Sequence, residues 1–200
     1  MKLVIRTTQT QNKMDRFKIT FAVFVIVLAA IVEWAFHDPH AFEIVEEPPG
    51  VIQAIGNAGS EQIFTFKKWK IEKLDWTPGD YENIKLEVLI DCKSLSNDWK
   101  DLEKNIRKKK DYFYVKKFPT AKVIVNGAKK VSDQEYATDM ELTLKGITKT
   151  VPVTFTVDAS NNLKIKGSGK INRRKFKFTG GGPKDEVPLS FEITLPSANI

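Results

Sequence analysis

The sequence predicts an all-β fold for most of the chain, built as an antiparallel sandwich or barrel. Apolar and polar residues alternate with a period of two in several separate segments, as in strands that bury one face. Turns rich in Gly, Asn and Asp join these segments at near-regular spacing. Two such strands cannot bury their apolar faces alone, so the segments are expected to share one core.

The segment at residues 139–157, DMELTLKGITKTVPVTFTV, predicts two strands joined by a hairpin. Apolar residues occupy every second position in each half, and Gly146 falls where the turn needs a permissive backbone. Pro152 lies on the outward face of the second strand. Because proline has no amide hydrogen, we expect an edge or a locally unpaired position there.

Other segments follow the same alternation, at residues 84–92, 122–125, 163–171, 175–178 and 187–195. In the strand predicted at residues 62–74, Phe64 and Phe66 share one parity, whereas Trp69 and Ile71 share the other. A bulge around Lys67 and Lys68 would place all four on one face. Residues 51–55 are compatible with a further short strand or with docking elsewhere.

One helix is predicted between residues 94 and 110. Trp99, Leu102 and Ile106 follow a helical spacing and form one apolar stripe. The helix ends in a basic run of Arg107, Lys108, Lys109 and Lys110. This run is compatible with contact to an anionic membrane surface or an acidic partner, or with a solvated helix end.

Residues 19–36 predict a membrane anchor or an uncleaved signal. Residues 19–32 carry no charge, basic residues precede them, and acidic residues follow. This bias predicts a cytoplasmic segment at 1–18, a linker at 37–60 and a barrel domain at 61–200 beyond the membrane. Trp34 and Phe36 would lie at the outer interface. The long leader favours retention over cleavage of the segment.

Charge and composition restrict the function more than they define it. The formal net charge is +7, which favours anionic partners, but aromatic residues do not alternate with the basic ones, so nucleic acid is not expected. The only histidines are His37 and His40, and the only cysteine is Cys92 on an inward position. No catalytic constellation, metal-ligand cluster or phosphate loop is evident, so neither enzyme activity nor a metal or cofactor is predicted.

An aromatic segment follows the predicted helix. Tyr112, Phe113 and Phe118 lie within ten residues that return the chain to the sheet. These side chains could equally cap one end of a barrel or line a ligand entrance.

Several separate motifs occur in one order along the chain. The first is a strand that ends in small polar residues, at 86–95, and a charged helix follows it. The later motifs are residues 111–113 with 118–121, the hairpin at 142–157, residues 169–173 with Phe176, and residues 185–187. In this order the chain resembles the YceI-like family of bacterial envelope proteins. Residues 111–121 are similar to the family's DFF…YP signature, and 142–157 to its LTI-GVT-PV hairpin. The resemblance implies a lipocalin-like antiparallel barrel of about eight strands.

The resemblance also implies a bound isoprenoid or other long-chain lipid inside the barrel. The implied wall residues are Leu86, Val88, Val123, Val125, Met140, Leu142, Val153, Phe155, Leu189, Phe191 and Ile193. With the anchor, we expect a single-pass protein of the bacterial inner membrane, with a cytoplasmic N-terminus and a periplasmic lipid-binding barrel. The alternative is a non-catalytic accessory subunit of a larger membrane complex that uses the barrel for docking.

Overall fold

The computed structural model describes residues 50–57, 59–158, 161–182 and 184–195. The predicted anchor at residues 19–36, with Trp34 and Phe36, lies outside the described residues. Within the described ranges, no helix has the length and apolar character needed to cross a membrane.

Strands dominate the described residues, with one α-helix and two 3-10 helices. The strands are β1 (Gly50–Asn57), β2 (Glu61–Phe66), β3 (Trp69–Asp75), β4 (Lys85–Asp91), β5 (Leu95–Ser96), β6 (Thr120–Asn126), β7 (Lys129–Lys130), β8 (Glu135–Leu144), β9 (Ile147–Asp158), β10 (Asn161–Asn172) and β11 (Glu186–Thr194). The α-helix is α1 (Lys100–Lys108), and the 3-10 helices span Cys92–Ser94 and Arg173–Phe176. An all-β antiparallel fold with one short helix is therefore confirmed.

The strands form one antiparallel sheet that curves back on itself. Its order is β3-β4-β6-β8-β9-β10-β11-β1-β2-β5, with β7 paired to β8. Only Lys67 and Lys68 separate β2 from β3. Across this corner the amide of Lys67 donates to the carbonyl of Ser94 at 3.3 Å, and that of Asp91 to Lys68 at 3.0 Å. Strand β3 begins the strand order, and β2 lies next to its other end. Their junction therefore brings the two ends of the sheet together and gives it a barrel-like shape.

The strand predicted at residues 62–74 is two strands, β2 and β3, and the corner at Lys67 and Lys68 takes the place of the predicted bulge. Phe64, Phe66 and Trp69 are all buried in one core, and Ile71 packs partly against it. Strand β1 lies within the predicted linker 37–60 and pairs with β2 and β11, so the sheet begins before residue 61.

Two prolines mark places where strand pairing stops. The β9–β10 ladder ends at Val153, next to Pro152, which pairs only across to β8. The β1–β11 ladder ends at Leu189, next to Pro188. Since proline cannot donate a ladder hydrogen bond, the prediction of a locally unpaired position at Pro152 is confirmed.

Two local predictions were wrong. Residues 175–178 are not a strand: a 3-10 helix ends at Phe176, and Lys177 then adopts a left-handed φ of 57°. This sharp turn, rather than strand alternation, buries both Phe176 and Phe178. In the predicted helical stripe, Trp99 precedes α1 and is 53% exposed, whereas Leu102 and Ile106 pack against the core.

Candidate functional site

The barrel encloses a small apolar cavity. Its volume is about 140 Å³. All the predicted wall residues line it, namely Leu86, Val88, Val123, Val125, Met140, Leu142, Val153, Phe155, Leu189, Phe191 and Ile193. Further lining residues that the sequence did not single out include Ile52, Ala54, Tyr81 and Ile165. The structure therefore brings the predicted wall together around one interior space.

Aromatic rings restrict the interior because β10 carries glycine at two inward positions. A Cβ placed on Gly167 would meet the ring of Phe191 and lie 2.7 Å from Cβ of Phe155. A Cβ on Gly169 would lie 2.6 Å from Cγ1 of Val153. Because these glycines have no side chain, side chains from β9 and β11 occupy the space beside them. This packing explains why the cavity is smaller than the roughly 300–1,000 Å³ of typical ligand pockets.

One end of the barrel, here called the closed end, is filled by aromatic side chains. Tyr81, from the loop between β3 and β4, lies 5.0 Å from Tyr136 and 5.8 Å from Phe155 between ring centroids. Tyr136 stacks on Phe155 at 5.4 Å. Burial raises the pKa of the Tyr81 hydroxyl to about 12, with a smaller contribution from Tyr136. At the closed end, Tyr81 therefore presents a neutral phenol to the interior.

The opposite end, here called the mouth, holds a larger cavity of about 610 Å³. It lies where β1 and β11 diverge beyond Ala54 and Leu189. Leu102 and Ile106 of α1 form part of the lining of this cavity. The mouth and the interior cavity share Ala54, Phe113, Leu144 and Ile171 as lining residues, so the two spaces adjoin at these side chains.

Phe113 stands between the mouth and the interior. Its ring makes edge contacts with Phe66 at 5.9 Å and with Phe178 at 5.0 Å between centroids. Such aromatic pairs contribute roughly 0.5–1.5 kcal/mol each beyond area burial.

Arg173 organises the loop that borders the mouth. Its guanidinium, 9% exposed, donates from Nε to the carbonyl of Lys184 at 3.0 Å and from Nη2 to that of Gly182 at 3.0 Å. Nη1 donates to the carbonyl of Gly180 at 2.6 Å. Asp185 lies 3.2 Å from Nη2 and completes the set. A buried cation therefore holds this glycine-rich turn in place.

Tyr112 covers the same glycine loop. Its hydroxyl donates to the carbonyl of Gly181 at 3.1 Å, and its ring lies where a Cβ on Gly180 would have to sit. The sequence contained one signal for this contact, since an aromatic segment and a glycine run often pack closely, but their separation of 69 residues hid the pairing. Tyr112 and Phe113 line the mouth.

The other predicted surface residues lie near the mouth without lining it. Phe118 packs beside the β8–β9 turn, where a Cβ on Gly146 would be 3.5 Å from its ring. Arg107 is half-buried, pairs with Glu103 at 2.8 Å and donates to the carbonyl of Lys93 at 3.0 Å. Lys108, Lys109 and Lys110 are exposed at the end of α1.

The described residues contain no cluster of three or more His, Cys, Asp or Glu side chains able to hold a metal ion. Cys92 is fully buried, as predicted for a small apolar residue. Burial, with a smaller contribution from Asp91, raises the pKa of its thiol to about 12. The chemistry that this site supports is the enclosure of an apolar group.

Comparisons with known proteins agree with this geometry. A family model described as the YceI-like domain matches residues 54–195. A UPF0312 protein of Photorhabdus laumondii is 32% identical over 112 residues, which cover 51% of this chain and 56% of that relative. The match therefore spans only a little over half of the relative's length.

Two solved structures share the fold. The crystal structure of BcnA from Burkholderia cenocepacia aligns with a TM-score of 0.61 at 24% identity, over 74% of this chain and 96% of that one. A polyisoprenoid binding domain from Saccharophagus degradans aligns with a TM-score of 0.55 at 12% identity, over 76% and 97% of the two chains. At these identities the likeness establishes the shared architecture.

Proposed function

The chain belongs to the YceI-like domain family, and on that premise we propose that it binds a long apolar lipid of the isoprenoid class inside its barrel. A domain of the same fold carries the description polyisoprenoid binding, which supports this ligand class. The interior lining is almost entirely apolar, and burial of apolar surface is the main source of affinity for such a chain.

The observation that carries the proposal is that the mouth and the interior cavity adjoin at four shared lining residues. The mouth cavity of about 610 Å³ lies within the usual range for ligand pockets, whereas the interior cavity of about 140 Å³ does not. A long chain would enter at the mouth, displace Phe113 and replace the aromatic packing beyond it. The more polar end of the ligand would remain beside the mouth.

The proposal includes a location. Residues 19–36 would anchor the protein in the bacterial inner membrane as a single span, and the barrel would lie in the periplasm. The apolar segment and its charge flanks support this orientation. An anchor would keep the barrel close to the bilayer, where isoprenoid lipids reside.

A second candidate function is that of an accessory subunit in a membrane complex. The small interior volume favours it, because a barrel filled by Phe155, Phe191 and their neighbours can act as a rigid docking module without a ligand. In that case the interior packing would serve stability alone.

Mass spectrometry of the full chain, purified in mild detergent from its own membranes, distinguishes the two candidates. The intact mass, co-purifying proteins and extractable lipid are recorded from one sample. A stoichiometric isoprenoid lipid is the expected result. A lipid-free chain with stoichiometric partner subunits would contradict lipid binding and support the accessory role.

A further inference from the structure

Three chain segments that contain or adjoin residues lining the mouth carry exposed lysines. They are Lys109 and Lys110 after α1, Lys116 and Lys117 in the aromatic segment, and Lys175 and Lys177 in the loop after β10. We call these six residues the basic rim. Two of these segments also supply residues that line the mouth, since Tyr112 and Phe113 follow Lys110, and Phe178 follows Lys177.

Hydrogen bonds from Lys145 join two of the three segments. Nζ of Lys145, at the β8–β9 turn, donates to the carbonyl of Lys110 and to that of Lys177, both at 2.9 Å. The ring of Phe118, next to Lys117, lies against the same turn. The basic rim is therefore a single surface of the folded barrel and not only a basic run in the sequence.

The basic rim carries uncompensated charge. Among the described residues, no carboxylate forms an ion pair with any of its six lysines. Two nearby carboxylates are engaged, since Asp111 accepts a hydrogen bond from Thr179 at 2.8 Å and Asp185 pairs with Arg174 at 2.8 Å, while Glu61 and Glu186 line the mouth cavity itself. The cations of the basic rim are thus available to an anionic surface.

The rest of the barrel shows the opposite pattern. Wall lysines pair with carboxylates, as in Lys85 with Asp75 at 3.4 Å and Lys164 with Glu192 at 2.6 Å. The loop at the closed end, residues 76–84, carries Asp80 and Glu82 and no lysine or arginine. This loop thus differs in charge from the basic rim, although Lys129 and Lys130 of β7 also lie towards the closed end.

Resting on the proposed function, we infer that the basic rim docks the mouth onto the anionic surface of a lipid bilayer. Clusters of lysine are attracted to anionic leaflets within about a Debye length. An apolar ligand that enters through the mouth has its source in the bilayer, so docking at this end lets it pass without crossing water. An acidic protein would need no apolar cavity at the centre of the contact.

Amine-reactive footprinting of the full chain tests this docking. The chain is reconstituted into nanodiscs of phosphatidylcholine alone or with added phosphatidylglycerol, and modification of each lysine is read by mass spectrometry. The basic rim is expected to be several-fold less reactive in the anionic discs, and salt should reverse this protection. Lys73, Lys85 and Lys164 on the wall should react equally in both.

A matched pair of charge reversals separates docking from net charge. The variant K109E/K110E/K175E should lose protection at Lys116, Lys117 and Lys177 in the anionic discs. The control K85E/K129E/K130E changes the total charge equally at the other end and should keep the protection. Equal reactivity of rim and wall lysines in both lipids would overturn the inference, as would protection that does not depend on phosphatidylglycerol.

Lipid extracted from the same samples shows which proposal fails. Bound isoprenoid without protection of the basic rim would overturn the docking inference alone. Protection of the basic rim in a chain without isoprenoid would support docking and contradict the proposed function. Protection that appears only in native membranes containing a co-purifying acidic protein would identify a protein partner and overturn docking on the bilayer.

Discussion

Arg173 donates a hydrogen bond from Nη1 to the carbonyl oxygen of Gly180 at 2.6 Å. Two further carbonyls of the same loop accept from its Nε and Nη2. One buried guanidinium thus satisfies three backbone acceptors that would otherwise be unpaired beside the mouth. The shape of the mouth therefore depends on a side chain that does not itself need to touch a ligand.

Replacing Arg173 by lysine is expected to destabilise the fold by about 2–3 kcal/mol. A lysine cannot reproduce the planar fork of donors, so buried carbonyls lose their partners. Urea unfolding measures the change, and limited proteolysis should show cleavage in the loop at residues 177–185. The control is Arg174→Lys, whose side chain is 43% exposed and whose replacement should cost less than about 1 kcal/mol. Equal losses in the two variants would contradict this role of Arg173.

The packing of Tyr112 on Gly180 leads to a second prediction. In Gly180→Ala the new methyl group would overlap the Tyr112 ring, which must move and lose its hydrogen bond to Gly181. We expect a loss of about 1–3 kcal/mol in thermal or urea unfolding. In Gly181→Ala a Cβ meets nothing within 4 Å, so its stability should stay within about 0.5 kcal/mol of the wild type. If Gly181→Ala were also destabilised, the loss would come from adding any side chain to this loop backbone and not from the contact with the Tyr112 ring.

Cys92 should be unreactive in the folded protein. Its side chain is inaccessible, and its thiol has a pKa raised to about 12, so almost no thiolate is present near neutral pH. A thiol-reactive disulfide reagent should modify it only after denaturation. Rapid modification of the native chain would mean that the corner between β4 and β5 opens readily.

Glu103 should make stability depend on acid pH. The amide of Asn97, Lys100 and Arg107 all contact its carboxylate, and these contacts, the backbone hydrogen bond first, lower its pKa. Because the folded pKa is depressed, the stabilisation is complete above the ordinary pKa of a glutamate and is lost as pH falls through the folded value. Unfolding measured from about pH 7 to about pH 3 should show a shallower decline for Glu103→Gln. Glu141→Gln, on an exposed strand position, controls for removal of one carboxyl group, and an identical decline in both variants would contradict the role of Glu103.

Alternation predicted the wall of the barrel because each strand buries one face. Val123 and Met140 lie on the inward face of their strands and line the interior. Their neighbours Lys122 and Glu141 lie on the outward face and do not. The change of parity between Phe66 and Trp69 located the corner between β2 and β3, although it was interpreted as a bulge in one strand. These features depend on residues that are close in sequence, so a period of two is enough to predict them.

The mouth was less predictable because its contacts join distant segments. Nothing near Arg173 in sequence shows that its guanidinium binds the carbonyls of Gly180 and Gly182. Phe176 and Phe178 imitate strand alternation, although a 3-10 helix and a left-handed residue produce their burial. Trp99 fits a helical stripe but precedes the helix and remains exposed. Sequence periodicity cannot report contacts of this kind, since they depend on how loops from different strands meet.

The most direct test of lipid binding inside the barrel compares two neighbouring substitutions in β6. Val123 faces the interior cavity, whereas Ile124, the next residue, does not line it. The full chain is purified as wild type, Val123→Phe and Ile124→Phe, and the ratio of extracted isoprenoid to protein is measured for each. Binding in the interior predicts a comparable lipid content in the wild type and Ile124→Phe and a strong reduction in Val123→Phe, with all three chains folded. Equal lipid in all three, or none in the wild type, would contradict it.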